Sequence, residues 1–175
     1  MKANPILWSP ENPKRYRIEL SFHDEKLIDS IGFRTISTKG FDILLNGNSV
    51  FLKGICIHEE APYKTGRVTS TEEIITLLTW AKELGCNFVR LAHYPHSEKM
   101  VREAERLGLM IWSEIPVYWT VSFGNPETYT LAETQLKEMI SRDKNRAGII
   151  LWSVANETPL SEERNKFLKN LVFKA

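Results

Sequence analysis

Residues 148–157 read GIILWSVANE, a run of apolar residues that leads directly into an amide and a carboxylate. A short apolar run without polar alternation is typical of a strand that is covered on both faces, as strands of parallel sheets are. Asn156 and Glu157 therefore follow the carboxyl end of a buried strand, and Pro159 ends the extended run. This stretch predicts an α/β fold in which polar side chains collect at one edge of a parallel sheet.

The same pattern occurs three more times earlier in the chain. Strands are predicted at 50–56, 87–92, 109–113 and 148–153, and amphipathic helices at 71–84, 97–107, from 126 and from 161. Ser70 and Glu73 have the spacing of a capping box at the start of the first helix, and Gly85 stands where that helix ends. Four such units are typical of a doubly wound sheet or of the first half of a (β/α)8 barrel.

The first 40 residues have a different pattern. Residues 14–22 alternate apolar and polar side chains, which indicates a half-buried antiparallel strand. A second strand-like run extends from residue 28 to residue 36. Because an isolated pair of strands is marginally stable in water, we expect these strands to be the end of a larger β-domain. The predicted domains are therefore 1–40, which is incomplete, and 41–175.

Composition gives ordinary values for a globular protein, with 42% hydrophobic and 26% charged residues among 175. The net charge of +1 gives no support for a nucleic-acid partner, and no apolar run approaches the length of a membrane span. Cys56 and Cys86 are expected to be unpaired, buried side chains. No secretory leader is visible, but the N-terminus looks truncated, so the compartment stays open.

Ionisable or hydrogen-bonding residues follow every predicted strand. They are His58, Glu59 and Glu60, then Arg90, His93 and Tyr94, then Ser113 and Glu114, and finally Asn156 and Glu157. Barrel enzymes assemble their sites at the carboxyl ends of the strands, where these residues lie. No glycine-rich phosphate loop follows the first strand, which favours a barrel over a nucleotide-binding doubly wound sheet.

Each of these residues also has a simple structural interpretation. A carboxylate after a strand can cap the next helix, although Ser161 has a better capping position than Glu157. His58 and His93 can each be structural, and Glu59 and Glu60 can be solvated loop charges. Metal-binding motifs such as HExxH or paired CxxC are absent from the sequence, so neither a metal nor a cofactor is predicted.

Five segments taken together resemble glycoside hydrolase family 2, which contains β-galactosidases, β-glucuronidases and β-mannosidases. They are GFR at 32–34, LNGNSVFLKGICIHEE at 45–60, AKELGCNFVRLAHYPHSE at 81–98, LGLMIWSEIP at 107–116 and RDKNRAGIILWSVANE at 142–157. The resemblance implies the last strands of an immunoglobulin-like β-sandwich, followed by the first half of a (β/α)8 TIM barrel.

Members of that family are retaining exo-glycosidases that use two glutamates. The resemblance implies that Glu157 is the general acid/base and that Asn156 binds the 2-hydroxyl group of the sugar. The apolar strand before Glu157 is expected to limit the hydration of its carboxylate, which favours the protonated form. The candidate substrate-binding residues are Asn156, His93, His58, Tyr94, Arg90, Glu114 and Trp119.

The resemblance also has gaps. The family's nucleophile follows a later barrel strand that this chain does not include, and Glu114 is not expected to replace it. The Glu-x-His magnesium site of some relatives has no counterpart after Glu114, so no metal of that type is expected. Half a barrel leaves sheet edges and helix faces uncovered. We therefore expect the fragment to be inactive alone and to associate with itself or with the missing half.

Three functions stay open at this point. The leading hypothesis is hydrolysis of terminal β-galactosides or β-glucuronides, with carbohydrate as the partner and with neither a nucleic acid nor a membrane. A second possibility is a related endo-β-glucanase or mannanase barrel, which shares the Asn-Glu pair after the fourth strand. The third is a carbohydrate-binding or scaffold protein without turnover. The strand pattern at 14–36 favours the leading hypothesis.

Overall fold

The computed structural model describes residues 4–175, which form nine strands and four helices. The strands are β1 (Tyr16–Phe22), β2 (Glu25–Ile31), β3 (Ile36–Lys39), β4 (Asp42–Leu45), β5 (Asn48–Ser49), β6 (Gly54–Ile57), β7 (Phe88–Leu91), β8 (Met110–Glu114) and β9 (Ile149–Ser153). The helices are α1 (Thr71–Glu83), α2 (Glu98–Arg106), α3 (Pro126–Asp143) and α4 (Glu162–Val172).

Strands β6, β7, β8 and β9 form one parallel sheet in sequence order, and each of them is followed by a helix. This arrangement confirms the predicted α/β class and the four β-α units of a partial barrel. Gly54 opens β6 because a Cβ atom at this position would lie 2.5 Å from the carbonyl oxygen of Phe88. In the described part of the chain β6 and β9 each have one neighbouring strand, so both are edges.

The helix boundaries follow the sequence signals closely. Ser70 and Glu73 form the predicted capping box of α1, and Gly85 has the left-handed φ of +79° that ends it. The stripe Ile74, Leu77, Leu78 and Ala81 is buried against the sheet. Ser161 caps α4 through a hydrogen bond from the backbone of Arg164.

The first predicted barrel strand is shorter than its apolar pattern. We expected residues 50–56, but the ladder covers Gly54–Ile57 only. The side chain of Asn87 bonds the preceding backbone instead: its Oδ1 accepts from Lys53 N at 2.8 Å and its Nδ2 donates to Phe51 O at 2.9 Å. This side chain satisfies backbone groups that a longer strand would have paired with β7.

The predicted run from residue 28 to residue 36 is also divided. Strand β2 ends at Ile31 and β3 begins at Ile36, because the intervening segment packs on the barrel instead of pairing with a strand. Arg34 donates to the carbonyl oxygens of Ala147 and Ile149 at 3.2 and 2.5 Å. Strand β1 pairs with β2, and β3, β4 and β5 form a separate antiparallel sheet whose turn at residues 40–41 contains the predicted domain boundary. Assignment of β1 and β2 to a β-sandwich stays a prediction.

An ionic cluster joins the β1–β2 hairpin to the amino-terminal end of the barrel. Asp29 accepts hydrogen bonds from Arg102 and Arg146, and the backbone oxygen of Ser30 also accepts from Arg146 at 2.9 Å. Burial by itself raises the pKa of Asp29, but the two guanidinium groups outweigh it and hold the pKa well below its usual value. Burial raises the pKa of nearby Glu105, which accepts from the backbone N–H of Ala147.

The two cysteines differ in their surroundings. Cys86 is buried in the core between α1, α2 and the sheet, as predicted. The prediction for Cys56 was wrong, because its strand is the edge of the sheet and its side chain is exposed there. The same edge leaves Ile55 37% exposed and Trp80 on α1 41% exposed. Apolar surface of this kind is typical of a face that another element covers.

Candidate active site

The carboxyl ends of the four parallel strands bring most of the predicted site residues to one edge of the sheet. Arg90 lies within β7 and is paired in register with Cys56 of β6 and Trp112 of β8. Glu114 is the last residue of β8, and Asn156 follows β9 by three positions. Because parallel strands end at the same edge, residues that are 24 to 66 positions apart along the chain come into contact.

Arg90 and Glu114 form the centre of this site. The Nη2 atom of Arg90 donates to Oε2 of Glu114 at 2.8 Å, and its Nε atom donates to the same oxygen at 3.1 Å. The other carboxylate oxygen, Oε1, lies 2.6 Å from Nδ1 of His93. Glu114 is fully buried, so both of its oxygens need these partners. The indole of Trp112 lies under the guanidinium, 4.5 Å from its central carbon.

Asn156 has an amide orientation that its neighbour determines. Nη2 of Arg90 lies 2.7 Å from Oδ1 of Asn156. Arginine only donates hydrogen bonds, so the oxygen of the amide must face Arg90 and the nitrogen must face away. Among residues 4–175 no acceptor lies within hydrogen-bond distance of that nitrogen. The amide therefore presents two N–H donors at the open face of the site.

Glu157 and Trp119 lie beside each other on the loops that follow β9 and β8. Nε1 of Trp119 donates to Oε2 of Glu157 at 3.1 Å, and the backbone N–H of Trp119 donates to the carbonyl of Asn156 at 3.1 Å. Both residues have left-handed backbone conformations, with φ of +53° for Trp119 and +49° for Glu157. Such conformations cost about 1–2 kcal/mol for residues other than glycine, so the surrounding contacts must maintain them.

The expected burial of Glu157 was wrong. Its side chain is exposed, because the apolar strand ends four residues earlier, at Ser153, and the loop turns the carboxylate outward. Thr158 is buried beside it and accepts a hydrogen bond from Arg164 at 2.8 Å, which anchors the loop to α4. The carboxylate thus projects from a fixed backbone, and the described residues do not exclude water from it.

Aromatic rings form the rest of the open face. The rings of His58 and His93 lie 5.3 Å apart, and the ring of Tyr118 lies 6.0 Å from that of His93. Tyr94 lies 5.9 Å from His58. Trp119 has 64% of its surface exposed. Exposed aromatic faces beside hydrogen-bonding groups are a suitable surface for a sugar ring, which has apolar C–H faces and polar edges.

Two residues near the site are buried, which the sequence did not predict. Glu59, which can be read as a solvated loop charge, is 4% exposed and accepts from the backbone N–H of Ser97 at 2.8 Å. His96 was not among the candidates, and it is 1% exposed. Their neighbour Glu60 is exposed, as expected. One sequence signal could have indicated the contact of Glu59: Ser97 caps α2, and the first backbone N–H groups of a helix require hydrogen-bond acceptors.

Neither a metal site nor a membrane-spanning helix is visible in residues 4–175. Within that range, His, Cys, Asp and Glu side chains do not form any group of three that could ligate an ion. The helices there are also too short or too polar to cross a bilayer.

The family of the chain follows from a comparison with family models. The model described as "Glycosyl hydrolases family 2, TIM barrel domain" matches residues 36–172. This range includes the parallel sheet and the four helices that follow its strands. The chain belongs to glycosyl hydrolase family 2. The match confirms the resemblance found in the sequence and the assignment of the parallel sheet to a TIM barrel.

Individual curated proteins are similar over nearly the whole chain. A putative β-glucuronidase of Formosa agariphila is 35% identical over 160 residues, which are 88% of this chain and 19% of that protein. A β-galactosidase of Thermoanaerobacterium thermosulfurigenes is 34% identical over 171 residues, 94% of this chain and 23% of that protein. The chain therefore spans about a fifth of the length of these relatives.

A solved β-glucuronidase structure has the same fold over this chain. The β-glucuronidase of Ruminococcus gnavus in complex with D-glucaro-d-lactam superposes with a TM-score of 0.89 and 30% sequence identity. The superposition covers 99% of this chain and 31% of that one.

Proposed function

We propose that this chain supplies the acid/base half of a retaining β-glycosidase site that acts on terminal β-glucuronides or β-galactosides. Glu157 is the general acid/base and Asn156 binds the 2-hydroxyl group of the sugar. His58, His93, Tyr94 and Trp119 form the sugar-binding face. The names of the relatives support the substrate class, since they include β-glucuronidases and β-galactosidases.

The orientation of Asn156 is the observation on which this proposal mainly rests. Arg90 accepts nothing, so it fixes the amide oxygen and leaves the N–H donors for a ligand. In a retaining mechanism, the bond to the 2-hydroxyl strengthens as positive charge develops on the sugar ring. A donor that is already aimed loses little entropy when that bond tightens.

The position of Glu157 fits the role of proton donor. It is the next residue after Asn156, so an amide that binds the 2-hydroxyl brings the carboxyl group close to the neighbouring glycosidic oxygen. Its Oε2 atom accepts from Trp119, which leaves Oε1 to carry the proton to the leaving group. In the second step the same atom removes a proton from water. A bound sugar excludes water from the exposed carboxylate.

Glu114 is unsuitable as the second catalytic carboxylate. A nucleophile needs an oxygen with a free lone pair directed at the anomeric carbon. Each oxygen of Glu114 already has two partners, since Nε and Nη2 of Arg90 donate to Oε2, and Nη2 of Arg90 and Nδ1 of His93 contact Oε1. The side chain is also fully buried. We propose that Glu114 instead holds Arg90 and His93 in place, and that the nucleophile follows a strand outside residues 1–175.

Hydrolysis assays test the proposal on protein produced from the complete natural reading frame that contains residues 1–175. The substrates are p-nitrophenyl β-glucuronide, β-galactoside and β-mannoside. We expect turnover of one of the first two, and a fall in kcat/KM of about 10² to 10⁴-fold for Glu157→Gln. The control Glu162→Gln removes an exposed carboxylate five residues away and keeps activity within about twofold of the parent, as surface changes generally do.

Two other outcomes would support the alternative functions. A parent protein that binds these sugars without cleaving any of them supports a carbohydrate-binding or scaffold role, and contradicts the proposed hydrolysis. Cleavage of internal bonds in a β-glucan or mannan, with no action on the aryl glycosides, supports the related endo-acting enzymes.

A further inference from the structure

Glu59 connects two loops at the sugar-binding end of the sheet. Its carboxylate accepts from the backbone N–H of Ser97 at 2.8 Å and from Nη2 of Arg67 at 2.6 Å. Its own backbone N–H donates to the hydroxyl of Tyr94 at 3.1 Å, and its carbonyl accepts from Val68 at 3.1 Å. The loop after β6 and the loop after β7 are therefore joined through one residue.

Tyr94 is enclosed by groups that depend on this connection. The guanidinium of Arg67 lies 5.1 Å from the centre of the tyrosine ring, and the carboxylate of Glu59 holds that guanidinium. The ring of His96 stacks at 5.0 Å with an interplanar angle of 23°. With its hydroxyl bonded to Glu59 as well, the tyrosine ring is fixed in both position and tilt.

The buried ring of His96 also holds the ring of Tyr94 in place. Its side chain is 1% exposed, and Nε2 donates to the carbonyl of Ala92 at 2.9 Å. Among the described residues Nδ1 has no partner, so the ring is a neutral tautomer with its proton on Nε2. Burial lowers the pKa of His96 and outweighs the opposing effects of the Ala92 carbonyl and of Glu59.

The carboxylate of Glu59 stays charged in this position. Burial by itself raises the pKa of Glu59, but the hydrogen bonds from Ser97 and Arg67 outweigh it and bring the pKa below its usual value. Loss of either hydrogen-bond partner would leave the buried charge of Glu59 unpaired, which is costly. The carboxylate therefore keeps Ser97 and Arg67 in fixed positions.

We propose that Glu59 is a positioning residue that places Tyr94 and, through it, the His58–His93 pair of the sugar-binding face. This inference rests on the proposed function, because the pair matters only if a sugar binds there. The ring of His58 lies 5.9 Å from Tyr94 and 5.3 Å from His93, so a displaced tyrosine moves both imidazoles. Displacement by about 1 Å is enough to weaken binding of a rigid ligand considerably.

The variant Glu59→Gln keeps the shape of the side chain and removes its charge. The adjacent Glu60→Gln is the matched control, because Glu60 is exposed. In the protein from the complete reading frame we expect Glu59→Gln to raise KM about tenfold with a smaller change in kcat, and Glu60→Gln to change neither. A purely structural role lowers the amount of active enzyme and kcat, and leaves KM of the remaining enzyme unchanged.

Arg67→Met is a second variant that preserves folding if Glu59→Gln does not, since the Arg67 side chain is 59% exposed. We expect it to raise KM in the same direction. The double variant should show no larger effect than Glu59→Gln alone, because both substitutions remove one contact. An unchanged KM in both single variants overturns the proposal.

A second measurement does not require turnover. Carbethoxylation of each histidine, followed by peptide mass spectrometry, compares the reactivity of His58 and His93 with that of His23 on the distant hairpin. We expect Glu59→Gln to change the rates at His58 and His93 several-fold and to leave His23 unchanged. Equal rates in parent and variant contradict the positioning role. An inactive parent with changed rates contradicts the proposed hydrolysis and supports the positioning role.

Discussion

The indole of Trp119 donates a hydrogen bond to the carboxylate of Glu157 across 3.1 Å, and both residues have a left-handed backbone. The two loops are also joined through their backbones: Asn156 N donates to Val117 O at 2.9 Å, and Trp119 N donates to Asn156 O at 3.1 Å. The loop after β8 therefore holds the loop after β9 in place. The position of the proposed acid/base therefore depends on the loops that follow two strands, β8 and β9.

Substitution of Trp119 tests this relationship. Trp119→Phe keeps an aromatic face and removes the only donor to Oε2 of Glu157 among the described residues. We expect kcat/KM for an aryl β-glycoside to fall about threefold to tenfold, the range for one hydrogen bond of about 0.5–1.5 kcal/mol. The control Trp80→Phe changes a half-exposed tryptophan on α1 and should have no effect on kcat. Equal kinetics for both variants would show that the indole contact is unimportant.

Removal of the charge of Glu114 should destabilise the protein. Glu114→Gln leaves Arg90 without its carboxylate partner in a position where Glu114 is fully buried. We expect a loss of about 3 kcal/mol in the free energy of unfolding, the size found when one member of a buried ion pair is removed. Urea denaturation measures this quantity. Glu138→Gln, an exposed change on α3, is the control, and a Glu114 variant as stable as that control contradicts the assigned role.

The Asp29 cluster predicts a dependence of stability on pH. Because the folded-state pKa of Asp29 lies below the reference value of 3.8, the folded protein binds fewer protons than the unfolded chain in acid. The stability from Asp29 is therefore fully present above about pH 4 and is lost as the pH falls below that value.

The variant Asp29→Asn should unfold more easily at pH 7, by about 3 kcal/mol, because it removes the nearest carboxylate from the buried Arg146 and leaves it only the more distant Glu105 at 3.8 Å. The difference from the parent should begin to shrink below about pH 4, and it should keep shrinking as the pH falls toward the lowered folded-state pKa of Asp29. Thermal melts at a series of pH values measure both effects. Asp24→Asn, in the exposed turn of the same hairpin, serves as the control. A constant difference at all pH values would contradict the assignment.

Residues 1–175 expressed alone should associate through the edge of the sheet. Strand β6 leaves exposed backbone and apolar side chains at Ile55 and Cys56, next to Trp80 of α1. We expect sedimentation velocity to show a mass that rises with protein concentration. Ile55→Lys places a charge on this edge and should shift the protein toward monomer. A parent that stays monomeric at all concentrations contradicts this expectation.

Much of the barrel architecture could be predicted from the sequence, because its signals are local. The capping box at Ser70 and Glu73, the glycine at 85 and the apolar stripe of α1 each involve residues within one helix. Strand ends were less predictable where a distant side chain competes for the backbone. Asn87 shortens β6 in this way, and nothing within residues 50–56 indicates it.

The candidate site was also predictable only in part. Residues that follow the strands could be selected as candidates, because parallel strands bring their carboxyl ends together. Individual environments could not be deduced, because they depend on contacts between loops. Glu59 and Glu60 are adjacent glutamates, yet one is buried against Ser97 and Arg67 and the other is exposed. Exposure of Glu157 was also missed, because the left-handed turn after β9 has no glycine to mark it.

The most direct test of the proposed acid/base compares leaving groups in the Glu157→Gln variant of the protein from the complete reading frame. A group that protonates the leaving oxygen matters for methylumbelliferyl glycosides, whose leaving group is poor, and much less for dinitrophenyl glycosides. We expect kcat/KM to fall about 10²-fold or more for the first and far less for the second. Added azide should then restore turnover and give a β-glycosyl azide. Equal losses for both leaving groups, with no rescue by azide, would contradict the assignment of Glu157.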